Sequence, residues 1–322
     1  TTGAVVGDAR EVEDGPGFAV FAARLPDARL TPVALRVEET PDGASVVGWP
    51  DLDGAPETLL LLADPFTFPL DSFLRRLNDD RPGLTVVGGC ASAATRPGGN
   101  RLALDDRVVA DGAVGVFLEG AAVRTVVSQG CRPVGQPLVV TRSEGSFIRE
   151  LAGQPALDRL RELAEAVTDD ERELLQNGLH LGIVVDEHQA DFGRGDFLVR
   201  NVIGADRDTG AIAVGDRVAV GQTVQFHVRD AAAADEDLRA LLAGAEGDGA
   251  LLFTCNGRGR HLFGTPDHDA GLIAEVLGPL PAAGGFCAGE IGPVGGRNFL
   301  HGFTASLALF AGGAEPSSAG AP

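Results

Sequence analysis

Two stretches far apart in this chain carry the same succession of turns and strands. The first reads Gly88-Gly89-Cys90-Ala91, then Pro97-Gly98-Gly99-Asn100, then an apolar strand over Val114 to Leu118. The second reads Gly284-Gly285-Phe286-Cys287-Ala288, then Pro293-Val294-Gly295-Gly296-Arg297-Asn298, then a strand over Phe303 to Phe310. Each follows a short apolar run and a helical pattern. Leu59-Leu60-Leu61-Leu62-Ala63 precedes Phe73, Leu74 and Leu77; Leu251-Leu252-Phe253-Thr254-Cys255 precedes Leu272, Ile273, Val276 and Leu277. Order, turn chemistry and approximate spacing agree, so a strand–helix–strand–Gly-turn–strand unit is duplicated within the chain. The alignment matches Cys90 with Cys287 and reads both as small buried residues in tight turns. Gly3 to Ala22 reads as the tail of a third copy: a Gly7 turn, a charged stretch, and a strand Phe18-Ala19-Val20-Phe21.

The section between the copies has its own pattern. Leu157, Leu160, Leu163, Ala164 and Val167 fall at helical spacing. Thr168-Asp169-Asp170-Glu171 has the form of a capping box opening a second helix, with Gly178 to stop it. Leu181 to Val185 is strand-like. Phe197 to Ile203 and Val218 to Val228 alternate apolar with polar residues, as half-buried antiparallel strands do. Later, Thr265-Pro266-Asp267 supplies a helix start and Gly278 a helix end. The fold class expected is α+β, or α/β: two related halves, each a mixed sheet with helices outside, the sheets facing one another.

Charge and composition narrow the function. A formal net charge of −20 opposes non-specific binding to nucleic acid or to an anionic membrane. No apolar run reaches the ~18 residues of a membrane-spanning helix. All 26 basic residues are Arg, which excludes Lys Schiff bases and a P-loop. The four cysteines, Cys90, Cys131, Cys255 and Cys287, form no C-x-x-C pair and give no zinc spacing. With no secretory signal pattern, they read as free thiols in a reducing cytoplasm. No metal site is expected: Asp186-Glu187-His188 with Asp191 reads as a polar turn.

The segment richest in chemistry is Cys255-Asn256-Gly257-Arg258-Gly259-Arg260-His261. Its glycines allow close backbone approach, and its two Arg forks suit a carboxylate or phosphate. Its Gly spacing is not that of a nucleotide-binding loop. The second segment holds Glu290 among Gly and apolar residues, followed by Arg297, Asn298 and His301. A buried Glu290 needs a partner, either Arg258, Arg297 or a ligand ammonium. The competing readings are an ion pair that pins the turn, a structural His301, and a solvated loop with exposed arginines. His227 falls on the polar face of its strand and reads as exposed. Cys287 has no identified His base for catalysis. Thr1 raises the idea of an N-terminal Thr nucleophile, which requires self-cleavage.

These segments resemble FIST domains. Leu251 to Gly259, Gly289-Glu290-Ile291-Gly292-Pro293 and His301-Gly302-Phe303-Thr304 look like the C-terminal half of that family. Gly88 to Ser92 with Pro97 to Asn100 resembles the N-terminal half. Val5-Val6-Gly7 with Arg10-Glu11-Val12-Glu13 is similar to a segment inside that half, whose usual start this chain lacks. The resemblance covers residues 1–310 and implies a FIST N-like half over 1–135 and a FIST C-like half over 136–310. The remaining 311–322 reads as a disordered tail. It also implies a cytoplasmic sensory domain for a small ligand, amino acids being the family's proposed ligands. Without a fused output module, any signal passes to a separate signalling protein.

The function expected is therefore non-catalytic binding of an amino-acid-like or other anionic metabolite. Arg258 and Arg260 take the carboxylate, Asn256 orients it, Glu290 takes an ammonium, and Arg297, Asn298 and His301 complete the site. No cofactor is expected. The alternatives are a hydrolase or transferase using Cys287 or Glu290, a protein-interaction scaffold like the family's human F-box member, and a haem-based gas sensor. The last is implied by the family's nitric-oxide sensors, whose His ligand matches no motif here.

Overall fold

The first elements are a short hairpin, β1 (Val5–Gly7) and β2 (Arg10–Val12). An irregular segment leads to β3 (Arg29–Thr40), β4 (Gly43–Val47), β5 (Thr58–Ala63), α1 (Leu70–Asp80) and β6 (Thr85–Cys90). A small hairpin, β7 (Leu102–Leu104) and β8 (Arg107–Val109), precedes β9 (Ala113–Glu119) and β10 (Val123–Gln129). The middle section holds β11 (Cys131–Glu144), β12 (Phe147–Leu151), β13 (Gln154–Pro155), α2 (Ala156–Ala166), α3 (Asp169–Asn177), β14 (Leu179–Val184), β15 (Phe197–Asp206), β16 (Ala211–Val214) and β17 (Thr223–Arg229). The last section holds α4 (Ala231–Leu242), β18 (Gly249–Cys255), α5 (Arg260–Phe263), α6 (His268–Leu277), β19 (Ala282–Cys287), β20 (Glu290–Val294), β21 (Arg297–His301) and β22 (Thr304–Phe310). This computed structural model describes residues 1–311 except Asp42, Asp53 and Ala190. The expected tail lies outside them from residue 312 on.

The chain is α+β and forms two compact units. One joins Thr1–Ser128 to Leu238–Pro322; the other is Gln129–Asp237. This division differs from the linear one at 135/136, because the first and last thirds of the chain build one unit together.

The first unit contains the duplication. One sheet has the order β2-β1-β19-β18-β22-β10, the other β21-β20-β6-β5-β9-β3-β4. Element by element, β2-β1-β19-β18-β22-β10 matches β21-β20-β6-β5-β9-β3. In each sheet the central pair is parallel (β18–β19, β5–β6) and is joined through a helix, α6 or α1. Even one atomic contact repeats. A Cβ on Gly88 would lie 1.9 Å from the Leu61 carbonyl oxygen, and one on Gly284 would lie 1.9 Å from that of Leu252. Only Gly lets the strands approach so closely.

That match corrects two expectations. With Gly88 equivalent to Gly284, Cys90 corresponds to Phe286, and Cys287 to Ala91. The thiols both end strands, but on opposite faces. Cys90 packs with the α1 cluster and Cys287 with the cluster between the sheets. Successive strand residues alternate faces, so a one-residue slip is enough. The N-terminal remnant is also smaller than expected. Hairpin β1–β2 takes at β19 the place that β20–β21 takes at β6. Phe18-Ala19-Val20-Phe21 is irregular rather than a strand.

Three apolar clusters fix the layers of this unit. Leu59 and Leu61 point to α1, meeting Phe73, Leu74 and Leu77. Ala250 and Leu252 point to Leu238, Leu242, Leu272 and Ile273 on α4 and α6. The intervening residues Leu60 and Leu251 point the other way and join Val87, Leu118, Phe253, Ala308 and Phe310 between the sheets. The order is helix, sheet, sheet, helix. Each core Leu or Phe withdrawn from water contributes roughly 1.5–3 kcal/mol.

The second unit is an antiparallel sheet, β11-β17-β14-β15-β16-β12-β13. Strand β12 pairs with β16 and also with β11, so six strands close into a barrel. Its core includes Val140, Ile148, Leu181, Ile212 and Phe226. Helix α3 opens with the expected capping box, Thr168 with Glu171, and Gly178 is its C-cap. His227, expected to be exposed, is fully buried. Its Nδ1 lies 3.0 Å from the Gln225 carbonyl oxygen and its ring meets Phe197 edge-on at 4.9 Å. Burial pushes its pKa down to about 4. Alternation finds the face on which a residue lies, but not whether that face is covered.

Candidate functional site

Two places in the first unit compete: the loop after β18, and a pocket between the two sheets. In the loop, Arg258 turns inward. Its Nε and Nη2 donate to Asp269 at 2.7 and 2.8 Å, and both side chains are fully buried. The guanidinium lies 5.2 Å from the Phe263 ring centroid. Asp269 also accepts a 2.7 Å hydrogen bond from the Thr254 hydroxyl, and His268 Nδ1 lies 3.2 Å away. Burial alone would raise the Asp269 carboxyl. The Arg258 charge and these hydrogen bonds outweigh it and hold the group well below the usual carboxylate range. Arg258, expected to take a ligand carboxylate, already holds one through Nε and Nη2, and that carboxylate belongs to the chain.

Glu290 begins β20 and is fully buried. It accepts from the Thr304 amide and hydroxyl, at 3.2 and 2.8 Å. Burial raises its pKa to about 8, against the pull of Thr304 and Arg258. Its carboxyl therefore holds a proton near neutral pH, and Glu290 pins β20 to β22. None of the Arg or ammonium partners expected for it is in ion-pair contact among the described residues. Opposite it in the β20–β21 register is His301, whose Nε2 lies 3.0 Å from the Gly292 carbonyl oxygen.

The other expected site residues are dispersed. Asn298 is buried and locks the end of α1 to β6. Its side chain donates to Asn78 and to the Leu84 carbonyl and accepts from the Val86 amide. Arg297 is on the surface beside Asp79, at 3.2 Å. Asn256 is exposed, and its amide donates to the Cys287 carbonyl. Arg260 pairs with Asp14 and lies near Glu13. It borders an open groove of about 440 Å³ with Arg10, Glu11, Glu13, Asp14 and Asp267. Within that groove Glu11 is buried, and its pKa is raised to about 7 by burial and the nearby Asp269. In the second unit, the Asp186-Glu187-His188 stretch is a bonded turn. Asp186 accepts from the His188 amide and Glu187 from the Thr223 amide.

The pocket between the sheets encloses about 250 Å³. Leu60 and Leu62 of β5 form one wall, and Leu251 and Phe253 of β18 the other. The strand ends at Gly89, Cys90, Gly285 and Cys287 close its floor. Thr1, Thr2, Ala19 and Phe21 also line it, and among the described residues none that lines it carries a charged side chain. The pocket straddles the internal repeat, since matching strand positions face each other across it. Burial raises the Cys287 thiol well above its ordinary value, so it is a protonated, uncharged wall rather than a thiolate nucleophile; the Cys90 thiol, raised to about 12, packs on the α1 side.

Motif reasoning missed this pocket because it has no motif. One signal was in the sequence: Leu59 to Leu62 is apolar at every position. Such a strand is covered on both faces and requires a second layer.

Comparison with known proteins places the chain. The FIST N domain matches residues 1–154 and the FIST C domain matches residues 156–293. "Uncharacterized protein Rv0628c" of Mycobacterium tuberculosis (strain ATCC 25618 / H37Rv) is 51% identical over 312 residues, covering 95% of this chain and 81% of the relative. "Uncharacterized protein Mb0898c" of Mycobacterium bovis (strain ATCC BAA-935 / AF2122/97) is 50% identical over 313 residues, with the same coverage. The match spans nearly the whole chain, including both copies of the repeat. The chain therefore belongs to the FIST family, whose domains are generally sensory and associated with signalling.

Proposed function

We propose that this chain is a small-molecule sensory module whose ligand sits in the pocket between the two sheets. The ligand is compact, uncharged and largely apolar. One observation carries this reading: the pocket walls are leucine, phenylalanine, glycine and protonated thiol, with no charged side chain. An ionised ligand would lose its hydration there with no charged side chain to pair with, at a cost of several kcal/mol. Arg258, the residue best suited to an anion, is bound by Asp269. A volume near 250 Å³ suits a ligand of roughly ten non-hydrogen atoms. The reading keeps the expected class of function and changes the chemistry of the ligand from anionic to neutral.

The module works in a reducing cytoplasm, where its four free cysteines stay as thiols. No helix among the described residues is long and apolar enough to cross a membrane. A thermal-shift screen of neutral apolar compounds against amino acids and carboxylates of equal size tests the reading. Binding shows as a rise in melting temperature with concentration. Neutral compounds should stabilise the chain; a response confined to the charged set would overturn the proposal.

A further inference from the structure

The segment Gly15–Arg24 crosses the inter-sheet pocket. It leads from β2 in one sheet to β3 in the other. Its side chains alternate. Ala19 and Phe21 line the pocket, while Phe18 and Val20 point outward, 89% and 77% exposed. Among the described residues, no backbone group from Gly15 to Arg24 makes a backbone hydrogen bond. Side-chain packing holds the segment instead. The Phe21 ring lies 5.4 Å from that of Phe310, against Gly249, where a Cβ would come within 3.0 Å of the ring. Gly17 fits against Val5, where a Cβ would lie only 2.8 Å from Val5 Cγ2, too close for any side chain. The segment is thus seated by shape on the β1-β19-β18-β22 sheet but tied to it by no ladder. Such segments open at low free-energy cost while the strands beneath stay closed.

We propose that Gly15–Arg24 is the gate of the inter-sheet pocket and Phe21 its latch. Opening swings Ala19 and Phe21 away and exposes the pocket floor without unfolding either sheet. This deepens the reading of that pocket as the ligand site, yet the gate can be tested with no ligand present.

The probe is N-ethylmaleimide, and the readout is the alkylation rate of each cysteine, resolved by peptide mass spectrometry on the intact chain. Cys287 is on the pocket floor, 2% exposed, so its rate reports gate opening. Cys131 is buried in the second unit and reports unfolding of that unit. A Cβ on Gly7 would lie 3.9 Å from that of Ala19, within disulfide range, so the double variant Gly7→Cys/Ala19→Cys can lock the gate. Oxidising the lock should slow Cys287 labelling by about tenfold, and reduction should restore it. Phe21→Ala should speed it by about the same factor while Cys131 is unchanged. Equal Cys287 rates in the oxidised and reduced lock would overturn the gate, as would Cys287 labelling that only keeps pace with Cys131. A working gate with no ligand found would sink the ligand reading alone.

Discussion

Arg258 and Asp269 form a two-pronged ion pair, 2.7 and 2.8 Å long, with both side chains fully buried. The pair fastens the loop after β18 to the first turn of α6, and Thr254 and Phe263 complete its surroundings. Removing one partner strands the other charge. Arg258→Ala should therefore destabilise the chain by about 3–5 kcal/mol, measured by urea denaturation. Replacing both, as Arg258→Met with Asp269→Leu, should cost clearly less than Arg258→Ala alone. A loss below about 0.5 kcal/mol for Arg258→Ala would return this residue to the surface.

Glu290 makes stability depend on pH. Its pKa is near 4.5 when unfolded and about 8 when folded. Between those values the folded chain keeps a proton that the unfolded chain has released. The associated stability is complete below about pH 4.5 and is lost as pH rises toward 8. Glu11, raised to about 7, acts in the same direction over a narrower range. Asp269 acts oppositely: its folded pKa is lowered, so its contribution holds at neutral pH and is lost only in acid. Glu290→Gln keeps an acceptor for Thr304 and removes the titration. Denaturation at pH 5 and pH 8 should show the variant gaining on the wild type by on the order of 2 kcal/mol at the higher pH. An unchanged pH slope would show that Glu290 is ionised in the folded chain.

The duplication predicts that two distant glycines behave alike. Gly88→Ala and Gly284→Ala each drive a methyl to 1.9 Å from a carbonyl oxygen of the neighbouring strand. Each should cost about 3 kcal/mol or more in thermal or urea unfolding. Gly271 is the control: it lies in α6 and a Cβ there would meet nothing within 4 Å. Gly271→Ala should stabilise by about 0.5–1 kcal/mol. Tolerance of alanine at either strand glycine would break the equivalence.

Much of the frame was legible because it depends on local patterns. The runs at 59–63 and 251–255, the turns at Gly98 and Gly295-Gly296 and the Thr168 capping box all report local backbone chemistry, and all appear in the fold, whereas Gly88-Gly89 and Gly284-Gly285, expected in tight turns, lie inside strands. The errors arose where meaning depends on distant partners. Arg258 looks solvated until Asp269, eleven residues later, closes on it. Asp267, part of the expected helix start, sits just before α6 as a left-handed N-cap, its carboxylate accepting from the Glu11 amide. Cys90 and Cys287 were aligned by residue type, which cannot detect a one-residue slip that strand register makes decisive. The pocket, formed by residues from both copies with no polar signature, had no local trace beyond the double-faced leucine run.

The central claim is that a neutral ligand occupies the inter-sheet pocket, and Leu62 gives the most direct test. This residue lines the pocket yet is 38% exposed, so Leu62→Trp can fill the space with little strain. Arg260→Ala instead alters the charged groove at the chain's surface. The measurement is native mass spectrometry of the wild type and both variants purified from cells. A neutral small molecule should accompany the wild type and Arg260→Ala, and be absent from Leu62→Trp. An anionic molecule that persists in Leu62→Trp and disappears in Arg260→Ala would contradict this account and place the site in the charged groove.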